Sequence, residues 1–99
     1  MINVLTLFPK STDPKALDDF ISDQMIPTLK QAHGLRSLKL SVGDLMSPVG
    51  PPAYSKVVEA SFDSMDDWWA NVQTPAAQTE KEFMMSIGCV MLFYEVNEL

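Results

Sequence analysis

Apolar and polar positions change their spacing several times along the chain, and each change marks an element. Ile2 to Phe8 is almost continuously apolar, with β-branched residues well represented, until Pro9 ends the run; this predicts a buried strand. From Asp13 the period lengthens. Leu17, Phe20, Ile21, Met25, Leu29 and Ala32 recur at three- and four-residue steps, with Asp18, Asp19, Asp23 and Lys30 on the other side, which predicts an amphipathic helix. Asp13 followed by Pro14 reads as its N-cap with proline at the first helical position, where the missing N–H costs nothing, and Gly34 reads as its stop. Pro27 falls inside the pattern. Its ring clashes with the carbonyl of Asp23 and removes one bond, so a kink or two shorter pieces are expected.

Leu38, Leu40 and Val42 then alternate with Ser37, Lys39 and Ser41, the period of a half-exposed strand. Gly43 to Ala53, with prolines at Pro48, Pro51 and Pro52, reads as a loop. Tyr54 to Phe62 forms a third strand, with Tyr54, Lys56, Val58, Ala60 and Phe62 on one face and Ser55, Val57, Glu59 and Ser61 on the other. Ser64 and Asp67 resemble a capping box opening a second helix through Met65, Trp68, Trp69 and Val72. Thr74-Pro75 repeats the cap-plus-proline signature, so this helix is broken, its second piece turning Ala76, Phe83, Met84 and Ile87 inward and stopping at Gly88. Cys89 to Val96 is a last strand, apolar on both faces. The order β-α-β-β-α-β, with no repeat and no internal boundary, predicts one α+β domain over residues 1–99: a ferredoxin-like, four-stranded antiparallel sheet with two helices on one face. The first and last strands are greasy on both sides, so the uncovered face calls for a lid. A second copy of the sheet, hence a homodimer, is the expected one, with Glu59 and Ser61 placing polar groups inside or at the rim of that interface.

Composition narrows the partners. The formal charge is −6, the pI is near 4.4, and the seven lysines and arginines are scattered, which argues against nucleic acid and anionic membranes. No apolar run approaches the roughly 20 residues that cross a bilayer, and no signal-peptide pattern opens the sequence, so a cytoplasmic protein is expected. Cys89 is the only cysteine and reads as an inert packing thiol.

Several strings in fixed order carry a resemblance: the helix-1 proline followed by Leu29-Lys30-Gln31-Ala32-His33-Gly34-Leu35, then Pro51-Pro52-Ala53-Tyr54, Phe62-Asp63-Ser64-Met65 and Thr74-Pro75. Together they make nearly the whole chain resemble the EthD-like branch of the dimeric α+β-barrel superfamily. That resemblance implies two four-stranded sheets packed face to face as a barrel, and in each subunit a pocket between its own sheet and helices. Sister branches include cofactor-independent monooxygenases, lactone isomerases, polyketide cyclases and haem-binding members, so the resemblance implies a pocket rather than one reaction. Such proteins often carry a histidine two residues before the helix-1 proline. Here that position is Met25.

The candidate chemistry is thin. His33, the only histidine, is either a site residue or a solvent-facing group favoured by the end of a helix. Trp68 and Trp69 are adjacent, so they diverge by about 100° on a helix; one packs inward, and one is a candidate for stacking on a ligand. Tyr54, after the proline loop, is placed to present a hydroxyl. Lys56 and Glu59 point to opposite faces of a strand, each paired, exposed or a proton donor or acceptor. Met25 heads a set of methionines, with Met65, Met84, Met85 and Met91, suited to a compliant apolar wall or to filling gaps in a core. There is no glycine-rich phosphate loop, Ser-elbow, dinucleotide fingerprint or metal-ligand spacing, so neither a cofactor nor a metal is expected.

Two functions follow as expectations. One is an enzyme acting without cofactor on a small, largely apolar organic compound held between sheet and helices, in the manner of a monooxygenase, isomerase or cyclase, with Tyr54, Lys56 or Glu59 handling protons. The other is a non-catalytic ligand-binding or accessory protein, which the short supply of acid-base groups fits better.

Overall fold

A computed structural model of the chain describes residues 1–11, 13–97 and 99. Strand β1 (Ile2–Pro9) leads to helix α1 (Pro14–Phe20), a π-helical stretch (Ile21–Met25) and helix α2 (Ile26–Lys30). Strands β2 (Leu35–Leu40) and β3 (Tyr54–Phe62) form a hairpin, followed by α3 (Met65–Val72), α4 (Pro75–Ser86) and β4 (Val90–Glu95). The sheet order is β2-β3-β1-β4 with every neighbouring pair antiparallel, as the ferredoxin-like reading requires.

The caps work as their residue types dictate. Asp13 accepts from the Ala16 N–H at 3.1 Å, Ser64 from Asp67 at 3.2 Å and Thr74 from Ala77 at 3.2 Å, each satisfying a donor that the first helical turn leaves open. Ahead of Pro27 the helical segment falls into two shorter α-helical pieces, one of the two outcomes expected of this proline. The turn before it widens to π geometry, with the Ile26 N–H bonded to Ile21 O, and α2 restarts with proline in its first turn, where no donor is needed. Gly34 closes the segment at φ +80°. Two boundaries differ from the periodicity. Strand β2 starts at Leu35 and ends at Leu40, leaving Val42 98% exposed in the loop. In α4 the inward stripe runs through the partly buried Ala77 rather than the exposed Ala76.

The two sheet faces have different fates. Ile2, Val4, Thr6 and Phe8 of β1, with Val58, Ala60 and Phe62 of β3, are buried beneath the helices, where Leu17, Phe20, Ile21, Met25, Leu29 and Trp68 complete the core. Phe20 stacks on Phe83 at 4.3 Å between ring centres and ties α1 to α4, while Trp68 meets Phe93 at 4.4 Å and ties α3 to β4. The opposite face carries Leu5, Leu7, Val57, Val90, Leu92 and Tyr94, uncovered by any helix. In its midst Asn3, only 8% exposed, donates from Nδ2 to Glu59 Oε1 at 2.9 Å and to Tyr94 Oη at 3.1 Å, and its Oδ1 accepts from Ser61 Oγ. Among the described residues no helix is long and apolar enough to cross a membrane.

Candidate functional site

A cleft of about 290 Å³ opens between the helices and the covered face of the sheet. Its floor is Val4, Thr6, Val58, Ala60 and Phe62; its sides are Met25 from the π stretch, Leu29 from α2, Trp68 and Val72 from α3, and Met84 from α4. A predominantly apolar wall with few polar groups at this size is the character of a small-molecule site. The π turn matters here: it carries Met25 into the buried stripe just before the proline, so that Met25 and Leu29 stand one turn apart over the sheet.

The polar groups of the cleft gather on the side of α3 and α4, as Asn71, Gln78, Glu80 and Lys81, with Cys89 beyond the helix. Gln78 is committed to the Val72 carbonyl at 2.7 Å. Burial pushes the Cys89 thiol up to about 11, which keeps it a neutral packing group at neutral pH. Glu80 is the group that stands out. It is 7% exposed, on the inward stripe of α4, and its Oε1 lies 2.8 Å from Thr28 Oγ1 of α2. Burial raises its carboxyl above the ordinary range, opposed in part by the Thr28 hydroxyl.

Of the residues singled out in the sequence, Met25 and Trp68 line the cleft. Trp69 does not; it is 45% exposed and leans on Trp68 and the edge of Phe93. His33 lies in the turn after α2 with its side chain 93% exposed, 3.8 Å from Asp67, and stays outside. Tyr54 and Lys56 share a second, larger and more polar depression of about 580 Å³ near α1, where Lys56 Nζ is held by Asp18 at 3.2 Å. Glu59 is on the opposite face of the sheet, bonded to Asn3. The structure therefore does not bring Tyr54, Lys56 and Glu59 together, and none of the three is on the wall of the cleft. The sequence reading missed Glu80 and Thr28. The available signal was spacing: Glu80 stands three residues before Phe83 and four before Met84, a carboxylate on an apolar stripe.

A scan against protein-family models finds no match, and neither does a search of the curated proteins. Solved structures do match. An ethyl tert-butyl ether D (EthD) family protein from Bacillus halodurans C-125 superposes with a TM-score of 0.79 at 19% identity, covering 98% of this chain and 99% of its own. The hydroxynitrile lyase of Passiflora edulis gives 0.78 at 19% identity, over 99% and 94%. A dimeric ferredoxin-like protein of unknown function from Jannaschia sp. CCS1 gives 0.76 at 13% identity, over 96% and 98%. Element order, sheet topology and these end-to-end superpositions agree that the chain has a ferredoxin-like α+β fold, the fold of this EthD family protein and of the dimeric ferredoxin-like protein.

Proposed function

We propose that the chain is an EthD-like protein that works as a homodimer and binds or transforms a small, largely apolar organic compound in the cleft between its sheet and helices. The carrying observation is the cleft itself, whose apolar wall is built from four helical segments and the buried sheet face. Proteins of this fold include one named a hydroxynitrile lyase and one named for its EthD family, so the fold accommodates more than one role and the wall must select the compound.

Association of two copies is supported by the open sheet face. Leu92 and Tyr94 are half exposed there, and beside them Asn3 is bonded to Glu59, Ser61 and Tyr94. The Jannaschia protein of the same fold is described as dimeric. In the cytoplasm the single thiol would stay reduced, which fits its place as a packing group.

A non-catalytic binding or accessory role is the second reading, favoured by the scarcity of reactive groups: among the described residues Glu80 is the one carboxyl on the wall, and the thiol is neutral. The deciding experiment is mass spectrometry of whatever compound co-purifies, followed by titration of that compound against tryptophan fluorescence, to which Trp68 on the wall responds. Recovery of the compound unchanged supports binding alone, and conversion to product supports an enzyme. An empty protein whose fluorescence is unmoved by apolar compounds contradicts the cleft reading.

A further inference from the structure

The open face of the sheet divides into a polar end and an apolar end. Ser61, Asn3 and Tyr94 stand in one row across β3, β1 and β4, with Glu59 one place further along β3, and beyond them the face is apolar from Leu5 and Leu92 to Val90. Asn3 has both Nδ2 hydrogens engaged, with Glu59 Oε1 at 2.9 Å and Tyr94 Oη at 3.1 Å, while its Oδ1 accepts from Ser61 Oγ. The groups that flank it are only half used. Tyr94 Oη accepts from Asn3, so its own hydrogen is left to donate. Glu59 Oε2 accepts from nothing among the described residues, and Lys39, its neighbour across β2 and β3, is exposed and makes no ion pair with it. One unused donor and one unused acceptor thus reach in to Asn3 from opposite sides of β1.

We infer that a second copy of the chain completes both: across a two-fold axis running along β1 over Asn3, the Tyr94 hydroxyl of each subunit donates to Glu59 Oε2 of the partner subunit. This rests on the homodimer proposed above and adds the direction and register in which the two sheets meet. A two-fold contact requires a surface that matches itself, and a donor and an acceptor on either side of one strand do so, because a half-turn about that strand exchanges β3 with β4. The same half-turn lays polar end on polar end and Leu5 on Leu5 of the partner subunit. A half-turn about an axis across the strands at Leu5 would instead set Tyr94 against Val90 of the partner subunit and Glu59 against Glu59 of the partner subunit, leaving a hydroxyl unpaired and two carboxylates face to face.

Mixing two full-length variants, Tyr94→Phe and Glu59→Met, tests this. A dimer of Tyr94→Phe leaves two Glu59 carboxylates without their donor, and a dimer of Glu59→Met leaves two tyrosines without their acceptor. The mixed dimer keeps one complete Tyr94–Glu59 pair, and at its other crossing both groups are absent, so nothing is stranded. Whatever either substitution does inside its own subunit is carried equally into pure and mixed dimers and drops out of the comparison. In native mass spectrometry after subunit exchange, mixed dimers are expected to make up roughly four fifths of the total, against about one half for random pairing. Variants that are single chains alone and associate on mixing give the same support. Glu59→Leu replaces Glu59→Met should circular dichroism show that the latter does not fold. Random pairing, or variants that remain single chains when mixed, would overturn the crossed pair while leaving the homodimer. A wild-type chain that does not associate would overturn both.

Discussion

At Glu80 the surroundings change how a side chain titrates, and at Gly34 they leave no room for one. In the folded protein Glu80 holds its proton to higher pH than in the unfolded chain, so between the two pKa values the native state binds more protons. Its contribution to stability is therefore fully present below the unfolded value and is lost as pH rises through the folded one. Glu80→Gln should flatten that decline, so in urea unfolding from pH 4 to pH 8 the variant gains on the wild type as pH rises; parallel curves would show that burial does not perturb the group. Gly34 sits at φ +80°, and a Cβ added there would collide with the carboxylate of Asp67. Gly34→Ala combines left-handed backbone strain with displacement of a residue in the first turn of α3, and should cost about 1–3 kcal/mol in chemical denaturation.

At the scale of elements, the short helices depend on their ends. Ser64 satisfies the Asp67 N–H at the start of α3, an eight-residue helix that carries Trp68 into the cleft. Removing the hydroxyl in Ser64→Ala should lower stability by about 1 kcal/mol. If the same variant shifts tryptophan emission to the red, α3 is held in register by its cap; an unchanged spectrum would assign that register to packing of Trp68 on Phe93. The caps and prolines were legible in the sequence because a cap is local chemistry, decided by a residue and its neighbours three positions on. The widened turn at Ile21–Met25 was legible only as a disturbance at Pro27, since whether a helix breaks, bends or widens there depends on what its buried side presses against.

For the whole molecule, the open sheet face is the feature with the largest consequence. Leu92 lies on it directly across from Leu5, half exposed in the single chain. Light scattering should find a particle of twice the 11.0 kDa chain mass, and Leu92→Lys should shift it toward single chains without altering circular dichroism, because a lysine costs little in water and much between two sheets. A wild-type particle of one chain mass, or a variant that associates as before, would remove the homodimer from the proposed function.

The apolar runs of β1 and β4, the alternation along β2 and β3, the three-and-four spacing of the helices and the cap-plus-proline pairs determined the element order, and with it the α+β fold and the greasy second face of the sheet, because burial repeats with the period of the backbone. Which chemistry-bearing residues meet was a different matter. Tyr54 and Lys56 share a face of β3 with the cleft floor yet lie beyond it beside α1; Glu59 belongs to the other face, and His33 to the solvent. Thr28 and Glu80, far apart in the chain, become partners when α2 and α4 pack on the same sheet. Spacing along a chain fixes the side from which a residue looks out, whereas the group it finds there is settled by how separate elements stack, and only the tertiary structure holds that information.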